Sequence, residues 1–250
     1  MSHAFCTYQN SFKRIVLLAC IGLLFISCAG TEIEQEPKAN AATSPAAKKV
    51  FQVAVQPYGG FPAAEVQQVS EALTSVLGAQ VQILPSRPFP EWAFINVKKP
   101  RYRADSLLLD LKRSKAPGVY CVLGLSQKDI STTKRGTDGQ VKQPESKYRD
   151  WGVFGLGYMP GAACVVSTFR LPKEQSSYLM RLKKISVHEL GHNLGLRHCP
   201  TEGCVMMDAA ETIKTIDRVQ LTYCNNCWNA VKTKLKNEGF ESAVGGSSGN

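Results

Sequence analysis

Residues 188–199 read His-Glu-Leu-Gly-His-Asn-Leu-Gly-Leu-Arg-His-Cys, and the rest of the chain is read as the scaffold that presents them. His188 and His192 stand four residues apart. On a helix both imidazoles project from one face, about 5–6 Å apart at Cβ, close enough to share a metal. Glu189 follows the first imidazole and lies beside such a metal rather than on it, where it can take a proton from a water as general base. Histidine and carboxylate in this pattern point to a zinc site. His198 can complete three imidazole ligands, leaving one open tetrahedral position, only if the helix ends and the chain doubles back. Gly195 permits that reversal, because glycine enters the left-handed region that commonly closes helices. The only other histidine in the chain is His3, far from this stretch.

The pattern runs on as Cys199, Cys204, Met206, Cys224 and Cys227, spaced C-x4-C-x-M-x17-C-x2-C. The four thiols suit a closed four-thiolate zinc site, of structural rather than catalytic character. In an oxidising compartment two disulfides would use the same residues. Residues 187–227 resemble the archaemetzincins, a family of metzincin-clan zinc peptidases. A looser likeness extends to G-L-S-Q-K-D-I at 124–130, W-G-V-F-G-L-G-Y at 151–158 and V-V-S-T-F-R-L at 165–171. The resemblance implies two zinc ions, a catalytic one on His188, His192 and His198 and a structural one on Cys199, Cys204, Cys224 and Cys227. It implies Met206 as the apolar base under the catalytic zinc, and peptide or protein substrates cleaved by an aminopeptidase-type activity. A catalytically silent, zinc-stabilised peptide-binding lipoprotein is the rival reading, and the intact Glu189 argues against it. A metal-scavenging lipoprotein is disfavoured by the lack of any further His-rich tract.

The chain has 250 residues, 44% of them hydrophobic, enough for one well-cored domain. Residues 1–27 read as an export signal, with Lys13 and Arg14 ahead of an apolar run from Ile15 to Ser27. That run is short of the roughly 20 residues needed to span a bilayer. It ends Phe-Ile-Ser-Cys, which is similar to a bacterial lipobox, so Cys28 is expected to carry a lipid on a membrane of the cell envelope. Cleavage near Ala29 and Gly30, releasing a secreted or periplasmic protein, is the alternative. Residues 28–49 are poor in large apolar side chains and read as a flexible tether, 50–240 as the peptidase domain and 241–250 as a disordered tail. The net charge is +10. Its basic clusters, at Lys98, Lys99, Arg101 and Arg103 and at Lys232, Lys234 and Lys236, read as solvated faces. No nucleic-acid motif accompanies them, so no nucleic-acid partner is expected, and a monomer is.

Apolar periodicity sketches an α+β fold. Val50 to Gln56 and Val81 to Leu84 read as strands flanking a helix that follows Pro62. A helix around Ala104 to Lys115 precedes a buried strand from Val119 to Leu125. A polar loop is expected over Ser126 to Asp150. Trp151 to Tyr158 and Ala163 to Phe169 read as a hairpin across Pro160 and Gly161, and Pro172 as the start of the helix carrying His188 and His192. Cys227, Val231 and Leu235 mark a final helix. The resemblance arranges these as a twisted mixed sheet with backing helices, an active-site helix and a small Cys-rich C-terminal subdomain. Trp151 to Tyr158 is then the edge strand on which a peptide could add itself. Cys121 and Cys164, inside apolar strands, read as inert buried thiols.

Overall fold

The computed structural model describes residues 49–208 and 212–240. The expected signal segment, the lipid site at Cys28, the tether up to residue 48, His3 and the tail all lie outside the described residues. Lys49 already pairs with the far end of the domain, its N–H bonded to the Gly239 carbonyl at 3.2 Å.

In chain order the strands and helices are β1 (Gln52–Pro57), α1 (Ala63–Leu77), β2 (Gln80–Ile83), β3 (Phe94–Asn96), β4 (Pro100–Arg103), α2 (Ala104–Arg113), β5 (Cys121–Ser126), β6 (Ile130–Thr132), α3 (Glu145–Tyr148), β7 (Trp151–Val153), β8 (Gly155–Gly157), β9 (Ala163–Ser167), α4 (Tyr178–Asn193), α5 (Ile213–Arg218) and α6 (Asn225–Asn237). The main sheet runs β2-β1-β5-β9-β8, parallel except for the antiparallel edge strand β8. Its central strands are covered on both faces, as their unbroken apolar runs require. Val53, Val55, Leu123 and Val166 pack toward α1 and α4, against Leu73, Leu77, Leu182 and Leu190. Ala54, Val122 and Val165 point the other way, onto Leu107, Leu108 and Leu111 of α2. Period-two alternation thus builds two cores from one sheet.

A second sheet, β3-β4-β6-β7, was not legible in the sequence. The expected loop at 126–150 contains β6 and α3. The expected edge strand at 151–158 is divided: β7 pairs antiparallel with β6, and after Phe154 the chain enters the main sheet as β8 beside β9. It forms the edge of each sheet in turn. The active-site helix begins at Tyr178 rather than at Pro172, because the polar residues 173–177 are spent on turns.

Arg101 is corrected from the solvated basic face to the interior, where it is 3% exposed. Its Nη2 lies 3.3 Å from Asp129 Oδ2 and its Nη1 3.4 Å from Asp150 Oδ1. Asp129 also takes two bonds from Arg170, at 2.7 and 3.0 Å. These four charges tie β4, the approach to β6, the approach to β7 and the exit from β9 together, so they hold the two sheets in one relative position. Breaking such a pair costs more than the pair itself is worth, since a buried charge is left alone. Asp129→Asn is expected to lower stability by about 3 kcal/mol, and a urea midpoint unchanged from the parent would refute that role for the cluster.

Candidate metal centre

Helix α4 carries His188, Glu189 and His192 on its last turns. It ends where Gly195 adopts φ +87°. The Gly195 N–H bonds the His192 carbonyl at 2.8 Å and the Leu196 N–H reaches back to the Gly191 carbonyl at 3.0 Å, the paired bonds of a Schellman closure. The chain then turns under the helix and brings His198 within reach. One ring nitrogen from each of His188, His192 and His198 lies within 4.8 Å of the others.

Two of these rings are fixed through their outer nitrogens. His188 Nδ1 is 2.8 Å from the Val205 carbonyl oxygen and His192 Nδ1 is 2.7 Å from that of Leu196. A carbonyl can only accept, so both Nδ1 atoms carry the proton and both Nε2 atoms present lone pairs. Those two Nε2 atoms stand 3.1 Å apart. Two lone pairs at that range repel unless a cation lies between them. Two nitrogens at 2.0–2.1 Å from one tetrahedral zinc would be about 3.3 Å apart, so the spacing fits that ion. Burial, reinforced by neighbouring His192, holds His188 near 4, well below the ordinary histidine value, and burial lowers His192 too. Both are therefore neutral and able to ligate at pH 7. His198 is more exposed, with Nδ1 3.5 Å from an Asp208 carboxylate oxygen.

Glu189 is buried, and with no partner among the described residues to offset that burial its carboxyl is pushed up to about 8. The edge strand β8 lies directly on it. A Cβ at Gly155 would sit 2.6 Å from Glu189 Oε1 and 2.7 Å from its Cγ, and one at Gly157 would sit 2.8 Å from its main-chain oxygen. On another side of the helix a Cβ at Gly191 would fall 2.5 Å from the sulfur of Met206, which is fully buried. Met206 thus supports the helix between His188 and His192. Tyr223, missed in the sequence, donates its hydroxyl to the Val187 carbonyl at 2.8 Å. Asn193, also missed, donates its amide to the carbonyls of Tyr158 and Ala163 and so locks the β8–β9 hairpin to the helix.

Cys199, Cys204, Cys224 and Cys227 converge, their sulfurs all within 4.8 Å of one another. Cys199 and Cys224 are 3.7 Å apart at Sγ, and Cys204 and Cys227 are 3.9 Å apart. A disulfide needs about 2.0 Å, whereas sulfurs at about 2.3 Å from one tetrahedral zinc stand about 3.8 Å apart. All four are free thiols here, so the set fits a metal. Cys121 and Cys164 are wholly buried in β5 and β9, and burial raises Cys121 to about 12 and Cys164 well above the ordinary thiol value, which leaves both inert.

Beside the imidazoles opens a cavity of about 310 Å³, walled by Trp151, Val153, Ile185, Val205, Ile216 and Val219. Its α5 wall is held by α4. Arg181 binds both oxygens of Asp217 at 2.7 Å, and Lys184 Nζ donates to the Ile216 carbonyl at 3.0 Å and the Asp217 carbonyl at 3.3 Å.

Residues 141–233 match the model of Peptidase family M54. The archaemetzincin of Natronomonas pharaonis is 31% identical over 185 residues, which is 70% of this chain and 96% of that protein. The crystal structure of archaemetzincin from Methanopyrus kandleri superposes with TM-score 0.60 at 28% identity, covering 75% of this chain and 96% of that one. That of Archaeoglobus fulgidus, complexed with malonate, gives TM-score 0.57 at 27% identity, covering 72% and 99%.

The approach of β8 to Glu189 leaves no room for a side chain at 155. Gly155→Ala should displace that carboxylate, which lies beside the three imidazoles, and lower peptide hydrolysis about a hundredfold, as small displacements around a reacting centre do. Metal content should hold, and melting temperature should drop by a few degrees, since overpacking a buried contact costs about 1–3 kcal/mol. A fully active Gly155→Ala protein would mean that the contact does not matter.

Proposed function

The chain belongs to the archaemetzincin family and is a zinc metallopeptidase; on that premise we propose that His188, His192 and His198 hold its catalytic zinc, that Glu189 is its general base, and that the four cysteines hold a second, structural zinc. The observation that carries the proposal is the pair of Nε2 atoms at 3.1 Å, each on a ring whose Nδ1 faces a carbonyl oxygen. Zinc on three imidazoles supplies a Lewis acid that polarises a scissile carbonyl and makes a water acidic near pH 7.

The chain's own residues supply the rest. Glu189 accepts the proton of the attacking water and returns it to the leaving amine. Its burial suits that shuttle, because a carboxyl destabilised as an anion takes up a proton readily near neutral pH, and a cation close by brings it back within range. Gly155 and Gly157 let β8 lie close enough for an extended peptide to pair with its free edge while its carbonyl faces the imidazoles. The carbonyls of Val205 and Leu196 keep His188 and His192 in the ligating tautomer. The sulfur set holds Cys199, and through it the neighbouring His198.

Glu189→Gln separates turnover from binding. The swap is nearly isosteric and leaves the three imidazoles untouched, so zinc content and melting temperature should match the parent. Hydrolysis should fall by about 10² to 10⁴. A folded, zinc-loaded variant as fast as the parent would remove Glu189 from the mechanism, and a silent binding protein would show no hydrolysis in either form.

For the sulfur set, elemental analysis with thiol counting after denaturation should give two zinc ions and no disulfide among the four cysteines. Cys224→Ser should lose one zinc per chain and melt at markedly lower temperature, since metal binding and folding are linked there. One zinc together with two disulfides would rule the second site out.

A further inference from the structure

The hairpin at the outer edge of the second sheet keeps a small apolar residue inside and leaves large ones outside. β3 is the edge strand there, in the order β3-β4-β6-β7. In the 3-10 turn Glu91–Ala93 that leads into it, Ala93 is fully buried in the core it shares with Leu107, Leu108 and Leu111 of α2. Around it Trp92, Phe94 and Val97 are 53%, 47% and 74% exposed. Phe94 is held from behind, its ring edge to face with that of Tyr102 at 5.5 Å, and Tyr102 is stacked on Phe89 at 4.3 Å. Single apolar side chains on a surface are ordinary. Three within six positions on an open sheet edge invite aggregation unless something covers them.

Charge on the same hairpin says what covers them. Val97, Lys98 and Lys99 form its tip and are all exposed. Lys98 Nζ donates to the Lys147 carbonyl at 3.1 Å, a neutral partner that leaves its charge in place. Between Pro85 and Ala104 the one acid is Glu91, and beyond them Asp105 and Glu145 are paired with Arg103 and Arg149. The centre of a protein interface favours aromatic residues but is depleted in lysine. A lipid headgroup layer takes both at once: indole and phenyl rings sit at its boundary with the acyl chains, and lysine stems lie along apolar surface while their ammonium groups reach the phosphates.

We propose that the β3–β4 hairpin is a docking surface for an anionic lipid bilayer, with Trp92, Phe94 and Val97 entering the headgroup layer and Lys98 and Lys99 meeting lipid phosphates. The face is separate from the lipid expected at Cys28 and from the metal centre, so it stands or falls apart from both.

The test mixes the full chain with phosphatidylcholine vesicles, with and without phosphatidylglycerol, whose acyl chains carry bromine as a contact quencher of tryptophan. Trp92 is one of three tryptophans, so its own signal is the difference between the parent and Trp92→Phe. On vesicles containing phosphatidylglycerol the parent should show quenching that Trp92→Phe lacks, which reads the hairpin whatever else attaches the chain. The lipid concentration for half-maximal Trp92 quenching should rise about tenfold when phosphatidylglycerol is omitted, and likewise in Lys98→Gln/Lys99→Gln. Added salt should raise it too. Val97→Asp, at the most exposed of the three apolar positions, should abolish the Trp92 signal at an unchanged melting temperature. Absence of Trp92 quenching on anionic vesicles overturns the proposal, whether or not the chain sediments with them. Equal quenching without phosphatidylglycerol overturns it as well, and so does a Val97→Asp protein quenched like the parent. If the parent sediments as a dimer without lipid and Trp92→Ser makes it a monomer, the face belongs to a second copy of the chain and the proposal falls. Should the double lysine variant fail to fold, Val97→Asp and the lipid comparison decide.

Discussion

Main chain approaches the last turns of α4 more closely than any side chain would allow, and the remainder of the site depends on that approach. β8 lies against Glu189 through Gly155 and Gly157, and Met206 lies against Gly191 from another side. With neighbours that near, the helix has a single rotation and a single axial position available. His188 and His192 inherit their orientation from it, the Asn193 amide locks the hairpin to it, and Arg181 and Lys184 carry α5 on it. A close-packed interior transmits such constraints because it has no slack in which to absorb them.

The third imidazole is placed by a different device. His198 and Cys199 share a peptide bond, and the Cys199 N–H bonds the Met206 carbonyl at 2.9 Å. Val205, whose carbonyl orients His188, lies between Cys204 of the sulfur set and Met206 under the helix. The sulfur set therefore acts on the imidazoles through a few residues of main chain, and the chemical centre and its structural neighbour form one mechanical unit.

Much of this was legible in the sequence where the signal is local. The four-residue histidine spacing, the glycine that ends the helix and the C-x4-C-x-M-x17-C-x2-C run each state their geometry within a short stretch. The buried strands β1, β5 and β9 showed as apolar runs, because both faces of the main sheet are covered. The second sheet did not show. Its strands are three or four residues long, too short for a period, and Arg101 within it looks like any surface arginine until Asp129 and Asp150 are brought to it from elsewhere in the chain. Tyr223 reaches Val187 across 36 residues, and Lys134 meets Trp151 through the β6–β7 pairing. Such contacts are properties of topology, and no window of sequence contains them.

The edge strand β8 reads Gly-Leu-Gly. Two of its three residues end at Cα, so a peptide laid along it would meet peptide groups and almost nothing else. Main-chain hydrogen bonding is the same for every amino acid, which makes this part of the cleft blind to the identity of its guest. Whatever preference the molecule has must be read elsewhere, by the cavity walled from α4 and α5. Grip and choice are thus borne by different parts of the fold, and changes that alter the guest need not disturb the strand that holds it.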